Sequence, residues 1–296
     1  ENDRRGVVPV SSILGNMFNR LQYYLPSLQQ CWVIVFFLIA VGGMGAGTLV
    51  SVVCNAMGYD MSSLNPLVSY LLPMIPAIAY IFLCNRNSVE AVPFEKAGFG
   101  TLGGLVAYPL FAVAMLALGF VTEPLSSWLP MPDSIKAVFE KILNDSFWAF
   151  ITTVIAAPVM EEFILRGVMQ RGLLKHTSPT KAILLSAFFF AVIHLNPWQA
   201  IGAFIAGSFI GWVYWRTHSL IACIFIHAVN NGTAYFLQLA NPHLPADSTY
   251  KDFLNQYSDN LYCTVFVIFA VLLALILHFL NKKLPKGNFG EQTDTL

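Results

Sequence analysis

Residues 147–170 read FWAFITTVIAAPVMEEFILRGVMQ, a stretch that is apolar along most of its length. A helix that crosses a bilayer needs about 20 such residues, so this segment predicts a membrane span. It nevertheless holds Glu161, Glu162 and Arg166 in its interior. An ionisable side chain at mid-bilayer costs about 2.5–3.5 kcal/mol on insertion scales. A chain that keeps three such groups in one span is expected to use them.

The composition of the whole chain is that of a membrane protein. Of its 296 residues, 56% are hydrophobic and 11% are charged, whereas soluble domains carry about 25% charged residues. The sequence therefore predicts an all-α, polytopic membrane helix bundle, and its net charge of zero does not suggest a nucleic-acid partner. We place about eight spans, at residues 31–54, 64–84, 101–122, 147–170, 181–195, 199–215, 219–240 and 261–281.

The Lys and Arg residues of the loops indicate the orientation of the bundle. Most of them fall on one face, and only Lys136, Lys141 and Lys251 fall on the other. Because positively charged loops stay in the cytoplasm, we expect both termini there, as in a multi-pass protein of a bacterial cytoplasmic membrane. We divide the chain into an N-terminal interfacial segment at residues 1–30, a single transmembrane domain at 31–281 with its motif core at 147–240, and a cytoplasmic tail at 282–296.

Two further polar patterns lie in later apolar stretches. They are Phe190-x-x-x-His194 in the fifth predicted span and His227-x-x-x-Asn231 in the seventh. Each has an ordinary structural explanation, an interhelical hydrogen bond for the first and an Asn–His packing network for the second. Together with the Glu161 pattern, however, they supply the carboxylates, imidazoles and amide that activate water and hold an oxyanion in peptide hydrolysis.

The two neighbouring glutamates are expected to differ in role. Adjacent residues point about 100° apart on an α-helix, while Glu162 and Arg166 are spaced i,i+4 and can pair. Glu161 is then the carboxylate without a local partner and the candidate general base. Pro158, one turn earlier, removes a backbone hydrogen bond and predicts a kink that opens a polar crevice. A purely structural Glu–Arg clamp between helices is the alternative.

His227 and Asn231 share one face of their helix because they too are spaced i,i+4. An imidazole and an amide on one face can both donate to a developing oxyanion. A metal ion held by Glu161, His194 and His227 is a second chemical interpretation. We expect no metal, because the zinc-protease pattern H-E-x-x-H is absent and an amide beside His227 suits oxyanion binding better than a zinc site.

The three patterns, in this order, resemble the signature of the CAAX protease and bacteriocin-processing family, also called the Abi family of intramembrane glutamate proteases. The family motifs are E-E-x-x-x-R, F-x-x-x-H and H-x-x-x-N/B, and the resemblance covers about residues 147–240. The chain is similar to the CAAX prenyl endopeptidases of this family. Their eight-helix bundles carry the motifs on the fourth, fifth and seventh helices, which is the placement predicted here.

The resemblance implies a role for each motif residue. Glu161 activates the hydrolytic water, and His194 helps to position it. The implied set consists of the catalytic residues Glu161, His194, His227 and Asn231, of which the last two bind the oxyanion, with Glu162 and Arg166 as structural support.

The implied activity is that of an integral membrane endopeptidase that uses neither a cofactor nor a metal. Its partners are expected to be membrane lipids and a peptide or protein substrate, which in some family members is membrane-associated or lipid-modified. Because other members confer self-immunity, a non-catalytic membrane adaptor or bacteriocin-immunity protein of the same fold is one alternative. A transporter that uses the buried polar cluster as an ion site is another.

Overall fold

A computed structural model of the chain describes residues 24–59, 65–88, 94–137, 146–241, 245, 247–255, 257, 258 and 260–287. Within these ranges the regular structure is helical, without strands. The helices, in chain order, are α1 (Leu28–Ala56), α2 (Pro66–Asn87), α3 (Gly100–Ser126), α4 (Phe147–His176), α5 (Pro179–Ile193), α6 (Pro197–Thr217), α7 (Leu220–Ala240) and α8 (Leu261–Lys283).

The prediction of an all-α membrane helix bundle is confirmed. Each of the eight predicted segments coincides with one of these helices, and six of them, all except α5 and α6, are long and apolar enough to cross a membrane. The helix α5 is apolar but has only 15 residues. A short helix, Tyr250–Asn255, lies between α7 and α8. The chain is thus a multi-pass integral membrane protein, and the cytoplasmic position of its termini stays a prediction.

The predicted break between the fifth and sixth spans is present at Asn196-Pro197. The side chain of Asn196 accepts a 2.8 Å hydrogen bond from the backbone N–H of Gln199 and caps α6, and Pro197 is its first residue. Proline suits the first helical position because the N–H it lacks has no partner there. Leu195 adopts a left-handed conformation with φ of 55°, which turns the chain from α5 into α6.

The two predicted terminal segments lie largely outside the described residues. Residues 1–23 of the interfacial segment and 288–296 of the tail are not described. The helix α1 begins at Leu28, where Ser27 and Gln30 form a capping box. The predicted boundary at residue 31 therefore falls in the first turn of this helix.

The buried apolar side chains form two clusters. One consists mainly of residues from α1, α2, α4 and α5, such as Ile34, Ile81 and Leu165. The other consists mainly of residues from α3, α6, α7 and α8, such as Phe111 and Ile226. Because α4 belongs to the first cluster and α7 to the second, the polar motifs of these two helices meet where the clusters adjoin.

The helices α4 and α6 are joined by two side-chain hydrogen bonds, one turn apart. Nη2 of Arg166 donates to the carbonyl of Gly207 at 2.8 Å, and Nε2 of Gln170 donates to the carbonyl of Gly211 at 2.7 Å. A Cβ atom at Gly207 would lie 3.0 Å from the ring of Phe190. Glycine therefore allows both the close approach and the carbonyl contacts, as expected of a small-x-x-x-small pattern.

Candidate active site

Two π-helical segments of α4 flank the glutamates. They are Ile151–Ala156 and Phe163–Gln170, and Glu161 and Glu162 end the α-helical turn between them. Turns of this wider kind occur frequently at functional sites. In the second segment every residue after Phe163 is buried, so the irregular backbone lies inside protein, where membrane proteins tolerate it.

Pro158 helps to tie α4 to α7. In the first π segment the N–H of Ala157 bonds to the carbonyl of Thr152. The next bond in this register would join the Thr153 carbonyl to an N–H at position 158, which proline lacks. The Thr153 carbonyl instead accepts a 2.9 Å hydrogen bond from Nδ2 of Asn231. The proline that predicted a crevice thus leaves a backbone acceptor that orients the Asn231 amide.

Glu162 is the buried centre of the site, with a fully inaccessible side chain. Its Oε1 accepts a 2.9 Å hydrogen bond from Nη1 of Arg166, so the predicted pair is present. The same oxygen lies 2.8 Å from Nδ1 of His227. Because an ionised carboxylate only accepts hydrogen bonds, Nδ1 of His227 is the donor. Glu162 therefore holds His227 in one tautomer and orientation, in addition to pairing with Arg166.

Glu161 lies on the other side of the same imidazole. Its Oε2 is 3.8 Å from Nε2 of His227, close enough for an ion pair but too long for a direct hydrogen bond. Its Oε1 accepts a 2.8 Å hydrogen bond from the hydroxyl of Tyr70 in α2. Although the two glutamates point apart on their helix, both contact His227, since its ring lies between them.

Phe190 links the remaining groups. Its ring centroid lies 4.9 Å from the ring of His194 and 5.3 Å from that of His227, and the guanidinium of Arg166 lies 5.3 Å from it. The carbonyl of Phe190 is 2.7 Å from Nδ1 of His194. A carbonyl can only accept, so a neutral His194 carries its proton on Nδ1. Phe190 thus holds His194 through its backbone carbonyl, and its ring packs against both His194 and His227.

A cavity of about 400 Å³ opens beside these residues. His194, His227 and Asn231 line it, while the two glutamates lie behind His227 and not in the cavity wall. The lining contains both apolar and polar side chains from α3, α6, α7 and the segment after α7. Among the described lining residues, Glu123 is the sole carboxylate, and none is a lysine or arginine.

The structure therefore brings all six predicted site residues into one region around His227. Among the residues described, no three His, Cys, Asp or Glu side chains form a group that could hold a metal ion. Two contributors have no sequence signal: the hydroxyl of Tyr70, which lies in another apolar helix, and the backbone carbonyl of Thr153. Only the packing of α2 and α7 against α4 reveals them.

Comparison with known proteins was informative at the level of the family. Residues 143–233 match the family model of the type II CAAX prenyl endopeptidases, described as Rce1-like. Neither a search of curated proteins nor a search of solved structures gave a match. The matched segment contains all three motifs and every residue from Glu161 to Asn231 that surrounds His227. The resemblance drawn from the motifs is thus confirmed, since the segment that holds the candidate site is similar to the type II CAAX prenyl endopeptidases.

Proposed function

We propose that this protein is an integral membrane endopeptidase in which Glu161 activates water and no metal ion takes part. The observation that carries the proposal is the position of His227. Its imidazole lies between two carboxylates, 2.8 Å from Glu162 and 3.8 Å from Glu161, and it lines the same cavity as Asn231. The family match over this segment supports peptide hydrolysis as the reaction class.

In the proposed reaction, a water molecule lies beside Oε2 of Glu161, where the imidazole of His227 borders the cavity. The carboxylate takes one proton from this water, and the resulting hydroxide attacks the carbonyl carbon of the peptide bond. The tetrahedral oxyanion accepts hydrogen bonds from Nε2 of His227 and Nδ2 of Asn231. When the C–N bond breaks, the proton held by Glu161 passes to the departing amine, and Glu161 is again ionised.

The tautomer of His227 determines how it can serve the oxyanion. Its Nδ1 proton is donated to Glu162, so a second donor at Nε2 requires the doubly protonated imidazolium. In that form the buried group comprises the carboxylates of Glu161 and Glu162, the guanidinium of Arg166 and one imidazolium. These charges sum to zero, which is the condition for keeping ions in a low-dielectric interior. We infer that His227 acts as a cationic donor.

The second amide hydrogen of Asn231 complements this donor. One hydrogen of its NH₂ group bonds to the Thr153 carbonyl, which leaves the other to point elsewhere. Because the side chain lines the cavity together with His227, the remaining hydrogen is available to an oxyanion there. His194 lines the same cavity, and with its proton on Nδ1 its Nε2 can accept a hydrogen bond from the attacking water.

The charge of the cavity favours cleavage of an internal peptide bond. A free C-terminal carboxylate in this cavity would lie near Glu123, with no lysine or arginine among the described lining residues to neutralise it. A neutral peptide segment, by contrast, meets apolar side chains and uncharged hydrogen-bonding groups. This arrangement supports an endopeptidase, with a peptide or protein of the membrane or its surface as the substrate.

The direct test compares membrane peptides from cells that produce the wild-type protein or Glu161→Gln, read by mass spectrometry. Glutamine preserves the shape of the side chain but cannot take the proton, so new peptide ends are expected with the wild-type protein alone. Glu95→Gln is the matched control, because Glu95 pairs with His218 away from the cavity. Identical peptide ends with the wild-type protein and Glu161→Gln would overturn the proposal and favour an adaptor.

A further inference from the structure

Tyr70 contacts the candidate base from outside the segment matched by the family model. It lies in the second turn of α2, on a stretch without polar motifs, and 91 residues separate it from Glu161. Its hydroxyl donates a 2.8 Å hydrogen bond to Oε1 of Glu161. The Glu161 side chain is 12% exposed, so this bond is made in a region from which water is largely excluded.

The two oxygens of Glu161 are thereby made different. Oε1 is occupied by the Tyr70 hydroxyl, whereas Oε2 is the oxygen that lies 3.8 Å from Nε2 of His227. A carboxylate held at one oxygen cannot turn about its terminal bond without losing that hydrogen bond. The contact therefore fixes which oxygen lies toward the imidazole.

We propose that Tyr70 is a positioning residue for the hydrolysis, an inference that rests on the proposed role of Glu161 as the base. Its hydroxyl directs Oε2 of Glu161 to the water beside His227. Tyr70 does not line the cavity, so it acts on the reaction through its hydrogen bond to Glu161.

Tyr70→Phe tests this role, because it removes the hydroxyl and keeps the ring. A hydrogen bond to a charged group in a buried site corresponds to roughly a 10- to 100-fold effect on a rate. We expect kcat to fall by about this factor with little change in KM.

The matched control is Tyr80→Phe in the same helix. The ring of Tyr80 stacks on Phe37 at a centroid distance of 4.8 Å and belongs to the apolar cluster of α1 and α2. This variant removes a tyrosine hydroxyl from α2 away from Glu161, so its kcat and KM should match those of the wild-type enzyme. If Tyr80→Phe reproduced the kinetic effect of Tyr70→Phe, a general loosening of α2 would explain both results, and the inference would be wrong.

A second replacement keeps the test decisive if Tyr70→Phe does not fold. Difluorotyrosine at position 70 retains the hydroxyl and strengthens it as a donor to Glu161, so kcat should change while KM stays close to that of the wild-type enzyme. An unchanged kcat with difluorotyrosine, or an unchanged kcat in folded Tyr70→Phe, would overturn the role of Tyr70. Glu161→Gln separates the two proposals: if that variant stays active, it is the base that has been misassigned.

Discussion

Glu162 and His227 are joined by a 2.8 Å hydrogen bond, although 65 residues separate them in the chain. Both side chains are almost completely buried. The bond connects the E-E-x-x-x-R motif of α4 to the H-x-x-x-N motif of α7, so these two motifs form one structure and not two neighbouring features. It also gives Glu162 a second partner besides Arg166, and the helical spacing of the first motif does not reveal this second partner.

The two glutamates should respond differently to the same substitution. Glu161→Gln is expected to abolish cleavage and leave the protein folded, because glutamine fills the same space but is no base. Glu162→Gln should chiefly lower the free energy of unfolding, by about 3–5 kcal/mol, since it strands the buried charge of Arg166. Thermal unfolding in detergent and single-turnover cleavage measure the two quantities. Equal loss of activity in two equally stable variants would refute this division of roles.

Asn231→Ala should act on the rate of the chemical step. Removal of one oxyanion donor typically lowers kcat by about 10²–10³-fold, and KM should change little because the substrate carbonyl needs this donor only as charge develops. Thr233→Ala on the same helix is the control, since the Thr233 hydroxyl bonds to the Val229 carbonyl of its own helix. A variant with raised KM and unchanged kcat would show that Asn231 binds the ground state instead.

Treatment with a chelator distinguishes a glutamate protease from a metalloenzyme. We expect purified protein to contain no stoichiometric metal and to keep its activity after prolonged exposure to a strong, membrane-permeable chelator. In the proposed mechanism, the amide of Asn231 beside His227 supplies the polarisation that a zinc ion would provide in a metalloprotease. Elemental analysis and a peptide-cleavage assay are the measurements. Activity that is lost on chelation and returns with zinc but not magnesium would make the histidines ligands.

Gly207→Ala should destabilise the bundle and disturb the site. The added methyl group would lie 3.0 Å from the ring of Phe190 and about as close to Ala187, and overpacking of this kind costs about 1–3 kcal/mol. Because Phe190 packs against both histidines, we also expect slower cleavage. Gly47→Ala is the control, since a Cβ there meets nothing within 4 Å. If the two variants had the same thermal midpoint, the close contact at Gly207 would not be needed.

The sequence predicts those features of the fold and site that depend on residues close together in the chain. Apolar runs locate the helices, Asn196-Pro197 locates the break between α5 and α6, and the i,i+4 spacing predicts the pair of Glu162 with Arg166. Such features follow from the geometry of one helix. A small-x-x-x-small spacing is a less reliable guide to close packing: Gly207 packs closely, whereas Gly47 of the similar pattern Gly43-x-x-x-Gly47 has open space beside it.

Contacts between distant helices are not predictable in the same way. Tyr70 lies in an apolar stretch where nothing distinguishes it from a tyrosine that faces lipid, and only its packing places its hydroxyl on Glu161. The acceptor for Asn231 is a backbone carbonyl, which has no residue identity to detect. Pro158 predicts a local irregularity in α4. Whether the Thr153 carbonyl accepts a hydrogen bond from Asn231 depends on the position of α7.

The paired bonds from Arg166 and Gln170 to the carbonyls of Gly207 and Gly211 bear on how the protein can move. Donors and acceptors are both spaced by one helical turn, so a slide of α6 by one turn would keep at most one of the two bonds and strand a buried polar group. Transporters of the rocking type shift one set of helices against another to open a fixed site alternately to each face of the membrane. Here such a shift between α4 and α6 would break a buried guanidinium contact beside the site. The two bonds therefore oppose a sliding movement of α6 along α4, and under the proposed function the peptide would have to move to the polar centre.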